Sequence, residues 1–308
     1  MKLLKFIIYI SPILIFIGIS TFHDLHKKDL GTKSNPVKLY FTPSLDADRI
    51  TANAKELVDF LEKETGYYFE TAVPTSYIAV VEAFGTKKAD IAGINTFSYL
   101  MAHEKYGAEA RLRIVREGEE TTYKGCFLAR AGSGIDSLPD LQGKSIAYVD
   151  PSSTSGYILP KAMLKRKGIK PSEEVFAMKH DNVVTMIYQK QVDAGAVYYS
   201  DPNPKTGLVM DARMRVLPQF PDVVKKVKII GYTESIPNDP YVFRKDMPEE
   251  MKRRIVNAFL KFVATSRGQK AMFEIADIVG LIRTKDGDYD ALRQMLKEQN
   301  ISLSGVIK

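Results

Sequence analysis

Short apolar runs alternate with helix-spaced stretches along the first third of this chain, and this alternation limits the fold more than any other feature. The runs at residues 37–41, 67–73 and 90–94 are typical of short strands. The stretches between them, residues 48–65 and 77–84, carry apolar side chains at helical spacing. Strands that alternate with helices predict a parallel sheet with right-handed crossovers, so we expect an α/β protein.

The same alternation begins again after the break Gly132-Ser133-Gly134, which predicts a second α/β lobe. Ligands favour the cleft between two such lobes. Residues 248–267 predict one long amphipathic helix late in the chain. The predicted boundaries are a signal peptide or N-terminal membrane anchor at residues 1–22, a linker at 23–36, a discontinuous lobe 1 at 37–130 and 228–280, lobe 2 at 131–227, and a C-terminal helix and tail at 281–308.

The N-terminus has the pattern of an export signal. Lys2 and Lys5 precede residues 6–22, which carry no charge. Gly18 and Ser20 are small residues spaced as at a cleavage site, although an uncleaved anchor stays open as an alternative because the run is close to the length of a spanning helix. In either case we expect the body of the protein outside the cytoplasm, in the periplasm or cell envelope.

Charge and cysteine content exclude several classes of protein. The formal net charge is +7, with basic residues scattered along the chain, so we expect no nucleic-acid partner. A mild positive excess suits the capture of small anions. Cys126 is the one cysteine, which excludes an intrachain disulfide framework and a cysteine metal cluster. We expect no metal and no cofactor.

A turn of small hydroxyl residues lies between a predicted strand at residues 145–149 and a predicted helix at 157–167. The turn contains four consecutive hydroxyl residues, 152–155, followed by Gly156. The first N–H groups of a helix lack intrahelical partners, and the helix dipole attracts negative charge to that end. An ordinary Ser or Thr N-cap is the alternative, but one cap needs only one hydroxyl. The pattern favours an oxyanion-binding turn.

The segment Asp150-Pro151-Ser152-Ser153-Thr154-Ser155-Gly156-Tyr157-Ile158-Leu159-Pro160 resembles the signature of periplasmic phosphonate-binding proteins. These proteins are the substrate-binding components of phosphate, phosphite and phosphonate ABC importers. Further stretches agree in order and spacing, at residues 75–82, 88–92, 179–180, 191–194 and 236–240. The resemblance implies the two-lobed periplasmic binding protein fold of the second type, with the ligand in the cleft between the lobes.

The resemblance also implies a set of ligand-binding residues. They are Ser153, Thr154, Ser155, His180, Tyr77, Tyr123 and Asp239. In the family, the three hydroxyl residues and the histidine hold the phosphonate oxygens, the tyrosines close over the ligand, and the aspartate lies at the far end of the pocket. Simpler alternatives are a capping role for His180, core packing for the two tyrosines, and turn chemistry for Asp239. If His180 meets the anion as a cation, affinity falls as the pH rises from about 6 to 8.

One position departs from the family pattern. Family members that take aminophosphonates have a second carboxylate where this chain has Ser200, with Asp201 next to it. Asp201 is expected to point to the opposite side of the sheet. A buried ammonium group is costly unless it is paired. We therefore predict a preference for phosphorus oxyanions that carry no amine.

These observations favour a solute receptor over an enzyme. The sequence contains no Walker-type phosphate loop, no H-E-x-x-H and no G-x-S-x-G motif. The predicted function is capture of a phosphonate or related phosphorus oxyanion by a monomer, and its delivery to the membrane permease of an ABC importer. The alternatives are a ligand-sensing module that signals through a membrane partner, and a hydrolase of phosphate esters.

Overall fold

The computed structural model of the protein describes residues 29–44, 47–117, 120–204 and 206–303. The predicted signal peptide or anchor, and residues 23–28 of the predicted linker, lie outside this part. No helix among the described residues is long and apolar enough to cross a membrane.

The described residues alternate between strands and helices, as the sequence predicts. The strands are β1 (Val37–Phe41), β2 (Phe69–Ala72), β3 (Ile91–Gly93), β4 (Glu109–Val115), β5 (Thr122–Arg130), β6 (Ser145–Tyr148), β7 (Glu173–Phe176), β8 (Ala194–Tyr199), β9 (Val227–Pro237), β10 (Pro240–Phe243) and β11 (Gly280–Arg283). The helices are α1 (Ala47–Thr65), α2 (Tyr77–Gly85), α3 (Thr96–Tyr106), α4 (Leu159–Arg166), α5 (His180–Tyr188), α6 (Val223–Lys226), α7 (Glu249–Val263), α8 (Ser266–Ala276) and α9 (Asp290–Glu298).

The first sheet has six strands in the order β2-β1-β3-β10-β4-β11. β1 pairs in parallel with β2 and β3, and β10 lies antiparallel between β3 and β4. Val37, Leu39 and Phe41 alternate inwards along β1 and pack in a core with α1, α7 and α8. The parallel pairing brings the carboxyl ends of β1 and β3 to one edge, where ligands bind in open α/β sheets.

The second sheet has five strands in the order β7-β6-β8-β5-β9. β6 pairs in parallel with β7 and β8, whereas β5 lies antiparallel to β8 and β9. The chain therefore crosses between the sheets twice, after β4 and after β9. Asn238 joins the two crossings, because its side-chain amide donates to the carbonyl groups of Ile114 (3.1 Å) and Glu120 (2.8 Å).

Sheet membership does not follow three of the lobe boundaries, which stay predictions. β5 and β9 belong to the second sheet, although residues 122–130 and 228–237 were predicted to lie in lobe 1. β11 pairs with β4 in the first sheet, although residues 281–308 were predicted to be a helix and tail only. The alternation of apolar and polar residues along a strand is the same in either sheet. The sheet to which a strand belongs therefore depends on its long-range hydrogen bonds.

The predicted helix at residues 248–267 is two helices. α7 ends at Val263, and Thr265 then adopts an extended conformation. The Thr265 hydroxyl accepts a hydrogen bond from the Gly268 N–H at 2.9 Å. This side-chain cap starts α8, which packs on α1. Lys252 on α7 is buried and donates to Glu109 at 2.7 Å and to Glu249 at 2.9 Å.

Candidate ligand-binding site

A cavity of about 90 Å³ lies between the two sheets and is lined from both lobes. One water molecule needs roughly 10–15 Å³ on the same measure, so the cavity suits a small ligand with a few heavy atoms. Residues that follow β1 and β3 line one side, among them Thr42 and Asn95. Ser153 and Ser155, which follow β6, line the other side.

Four helical segments begin at this cavity. Tyr77 and His180 are the first residues of α2 and α5, Asn95 caps α3, and Ser153 caps the π-helical turn before α4. All four of these residues line the cavity. Helix N-termini present unpaired N–H groups and partial positive charge, so their convergence makes a site for a small anion.

The hydroxyl turn differs in one respect from the sequence prediction. Residues Thr154–Ile158 form a π-helical turn, and the α-helix begins only at Leu159. The N–H groups of Tyr157 (3.1 Å) and Ile158 (2.9 Å) both donate to the Ser153 carbonyl. The Ser153 hydroxyl accepts from the Gly156 N–H at 3.1 Å. The turn is thus held by its own backbone, in a form that often occurs at functional sites.

Strand β5 approaches this turn closely because residue 125 is glycine. A Cβ at Gly125 would lie 2.6 Å from the Ser155 carbonyl oxygen and 2.9 Å from the Thr233 methyl group. The Gly125 N–H donates to the Thr233 hydroxyl at 2.8 Å. Absence of a side chain at residue 125 therefore lets the turn sit against the strand.

Thr154 is the one hydroxyl residue among 153–155 that does not line the cavity. Its hydroxyl donates to Asn95 Oδ1 at 2.9 Å and accepts from the Phe97 N–H at 2.9 Å. Both partners belong to the first lobe. The resemblance implies that Thr154 holds the ligand through its hydroxyl and backbone N–H groups, and in this structure the hydroxyl joins the two lobes.

Tyr77 and Tyr123 place two buried hydroxyl groups at the cavity. The Tyr77 hydroxyl has no hydrogen-bond partner among the described residues. The Tyr123 hydroxyl donates to Asp239 Oδ1 at 3.2 Å. Burial raises the pKa of both tyrosines well above the ordinary value, reinforced by the carboxylates of Asp150 and Asp239 at Tyr77 and by that of Asp239 at Tyr123. Both therefore remain protonated hydrogen-bond donors at neutral pH.

His180 is a neutral donor in this structure. Its side chain is buried, and its Nδ1 accepts from the Tyr198 N–H at 3.2 Å, which leaves the proton on Nε2. Burial, reinforced by the guanidinium groups of Arg116 and Arg215, lowers the pKa of His180 to about 3. A buried imidazolium beside two cations is costly, so this structure favours a neutral His180 over the cationic form.

Asp239 lines the cavity and already has protein partners. Its Oδ1 accepts from the hydroxyls of Tyr123 and Thr96, each at 3.2 Å. Its Oδ2 lies 4.0 Å from Nη2 of Arg116. Burial raises the pKa of Asp239, and the Arg116 guanidinium opposes that rise. The carboxylate is thus held within the protein.

Arg116 is a buried, charged residue of the cavity lining that was not predicted from the sequence. It follows β4, where Ala110, Leu112 and Ile114 are buried and the residues between them are not. Residue 116 falls on the same face as these buried residues. Arg116 is 7% exposed and lines the cavity. Extension of the period-two pattern by one residue beyond the apolar run would have identified it.

Ser200 and Asp201, where the chain departs from the family pattern, are not among the residues that line the cavity. Asp201 is exposed, and Ser200 is buried with no hydrogen-bond partner for its hydroxyl among the described residues. The side chain of Asp201 interacts with Glu120, whose pKa is raised by burial and by the Asp201 charge. No cluster of three or more His, Cys, Asp or Glu side chains in the described part could hold a metal ion.

Comparison with known proteins agrees with this geometry. The family described as "ABC transporter, phosphonate, periplasmic substrate-binding protein" matches residues 39–289. The phosphate-import protein PhnD of Mycolicibacterium smegmatis is 30% identical over 175 residues, which cover 53% of this chain and 54% of that protein. The chain therefore matches about half of the length of that relative.

Two solved structures share the fold. A binding protein component of an ABC phosphonate transporter from Pseudomonas aeruginosa has a TM-score of 0.76 at 19% identity, covering 86% of this chain and 87% of that one. PhnD1 of Prochlorococcus marinus, in complex with methylphosphonate, has a TM-score of 0.72 at 16% identity, covering 86% and 98%. The predicted two-lobed fold of the second type is confirmed. This chain belongs to the family of periplasmic substrate-binding proteins of phosphonate ABC transporters.

Proposed function

We propose that this protein captures a small phosphorus oxyanion outside the cytoplasm and delivers it to the permease of an ABC importer. The observation that carries the proposal is the convergence of four helix N-termini on one small cavity, in a member of this family. A relative is named as a phosphate-import protein, and a neighbour of the same fold binds methylphosphonate. The alternatives of a sensing module and an ester hydrolase receive no support from the comparisons.

The proposed ligand residues divide by the groups they offer. They are Ser153, Thr154, Ser155, His180, Tyr77, Tyr123 and Asp239. The serine hydroxyls, the histidine Nε2–H and the Tyr77 O–H donate to the oxyanion, and the Tyr123 hydroxyl donates to it once its one proton turns from Asp239 to the ligand. Thr154 contributes its main-chain N–H, because its hydroxyl bridges the lobes. Asp239 contributes by orienting the Tyr123 hydroxyl.

The remaining parts of the proposal concern the whole protein. It acts as a monomer, without enzymatic activity, and the N-terminal segment exports it and either is removed or anchors it to the membrane. Mass spectrometry of the mature N-terminus separates these two forms. Uptake of labelled ligand should fall in cells that lack the protein.

Binding measurements test the ligand class. Phosphate, phosphite or methylphosphonate should raise the melting temperature, because a ligand of the folded state stabilises by mass action. Sulfate should not. Calorimetry should show that Ser155→Ala weakens binding about ten-fold or more, because a hydrogen bond to a charged group is worth ~1.5–3 kcal/mol. Binding of none of the phosphorus compounds, or an unchanged affinity of the Ser155→Ala variant, contradicts the proposal.

A further inference from the structure

The Arg116 guanidinium is a buried cation in the wall of the cavity. Its Cζ lies 5.5 Å from the ring centre of Tyr123 and 5.8 Å from that of Tyr198. Its Nη1 donates to the Ala276 carbonyl at 3.0 Å, and its Nε is buried without a hydrogen-bond partner among the described residues. A buried donor without a partner is costly, and a ligand oxygen would remove that cost.

Both carboxylates that line the cavity in the described part of the chain already have a guanidinium. Asp239 lies 4.0 Å from Arg116, a distance that permits attraction but no hydrogen bond. Asp277 forms an ion pair with Arg215 and accepts from the Tyr198 hydroxyl at 3.2 Å. The two positive and two negative groups balance, so no carboxylate charge is left uncompensated.

Because the charges balance, it is the unused hydrogen-bonding capacity of these groups that distinguishes anions from cations. An entering oxyanion meets a buried cation that has an unused N–H, together with the neutral donors of the hydroxyl turn. An entering ammonium group loses its water, finds both carboxylates already paired, and is repelled by Arg116. The position of Arg116 is fixed by the crossing after β4, next to Asp239 in the other crossing.

We propose that Arg116 is a ligand-binding residue which restricts the cavity to small phosphorus oxyanions that carry no ammonium group. This inference rests on the proposed function and names its substrate class. In the same proposal Asp239 holds Arg116 and Tyr123 in position. It does not bind an amine of the ligand.

Titration of two ligands against three proteins tests the proposal. The full-length protein should bind methylphosphonate at least ten-fold more tightly than 2-aminoethylphosphonate. Arg116→Gln should weaken the binding of methylphosphonate about ten-fold, since it removes a hydrogen bond to a charged group. The affinity for the aminoethyl compound should be unchanged or higher. The matched control is Arg244→Gln, which removes a guanidinium paired with Asp90 away from the cavity. It should keep the wild-type ratio.

The outcomes separate this inference from the proposed function. An unchanged ratio of the two affinities in Arg116→Gln overturns the inference, as does tighter binding of the aminoethyl compound by the wild type. If Arg116→Gln does not fold, Arg116→Lys replaces it: the charge is retained, so loss of the preference overturns the inference. Failure of the wild-type protein to bind any phosphorus compound overturns the proposed function as well.

Discussion

Two groups of residues that line the cavity differ in how they are built. The hydroxyl turn offers neutral donors from one short stretch, Ser153 to Gly156, which is held by its own hydrogen bonds. The second group is a charged pair, Arg116 and Asp239, from the two separate crossings between the sheets. Neutral donors can satisfy any tetrahedral oxyanion, whereas a fixed charge discriminates between ligands. We therefore expect the hydroxyl turn to supply most of the affinity and the charged pair to decide which ligands are accepted.

Removal of the Ser153 and Ser155 hydroxyls should have the largest effect on the affinity for the ligand. The double variant Ser153→Ala with Ser155→Ala loses two donors to a charged ligand, each worth ~1.5–3 kcal/mol, so affinity should fall about a hundred-fold or more. Calorimetry with methylphosphonate measures it. Ser133→Ala is the control, because the Ser133 hydroxyl caps a surface turn by donating to the Arg130 carbonyl. An affinity within three-fold of wild type would show that these two hydroxyls do not hold the ligand.

The pH dependence of stability tests whether His180 is neutral. The folded-state pKa of about 3 lies below the ordinary value, so the unfolded chain takes up the proton first as the pH falls. The contribution of neutral His180 is fully present above about pH 6.5 and is lost as the pH falls from 6.5 towards 3, on the order of 2 kcal/mol between pH 7 and pH 5.

Denaturant unfolding at pH 7 and pH 5 measures this effect. His180→Gln should lose less stability than wild type over that interval, because the glutamine does not titrate. His103→Gln is the control, since His103 lies on α3 outside the cavity lining. An identical pH dependence in His180→Gln and wild type would show that His180 titrates alike in the folded and unfolded states.

Thr154→Val should separate lobe closure from ligand contact. The variant loses the hydrogen bonds to Asn95 and Phe97, each worth about 0.5–1.5 kcal/mol net, so affinity should fall about ten-fold. The loss should appear in the dissociation rate, because it weakens the joined form of the lobes. Thr154→Ser keeps the hydroxyl and should bind as wild type does. A tenfold loss in that control would point to a role for the methyl group instead.

Asp239→Asn should have the smallest effect, and of opposite sign. The amide oxygen can still accept from Tyr123 and Thr96, while loss of one negative charge lowers the repulsion of an incoming anion. Affinity for methylphosphonate should rise about three-fold, and the melting temperature should fall because Arg116 loses its counter-charge. A ten-fold loss of affinity in calorimetry would instead assign the carboxylate a direct contact with the ligand.

The sequence by itself determined the local features of this protein. The α/β alternation, the hydroxyl turn after β6 and its use as a helix start all depend on residues within about one helical turn of each other. Such features follow from side-chain spacing and capping chemistry, which a sequence displays directly. The residues of the hydroxyl turn were therefore located correctly, although its π-helical form was not.

Only the tertiary structure decided the features that join distant parts of the chain. β5 and β9 have strand patterns that either sheet could use, and hydrogen bonds to β8 and to each other placed them in the second sheet. The partners of the Thr154 hydroxyl and the pairing of Arg116 with Asp239 likewise follow from which crossing lies beside which. Long-range pairing is chosen by the packing of the whole chain, and no local pattern contains it.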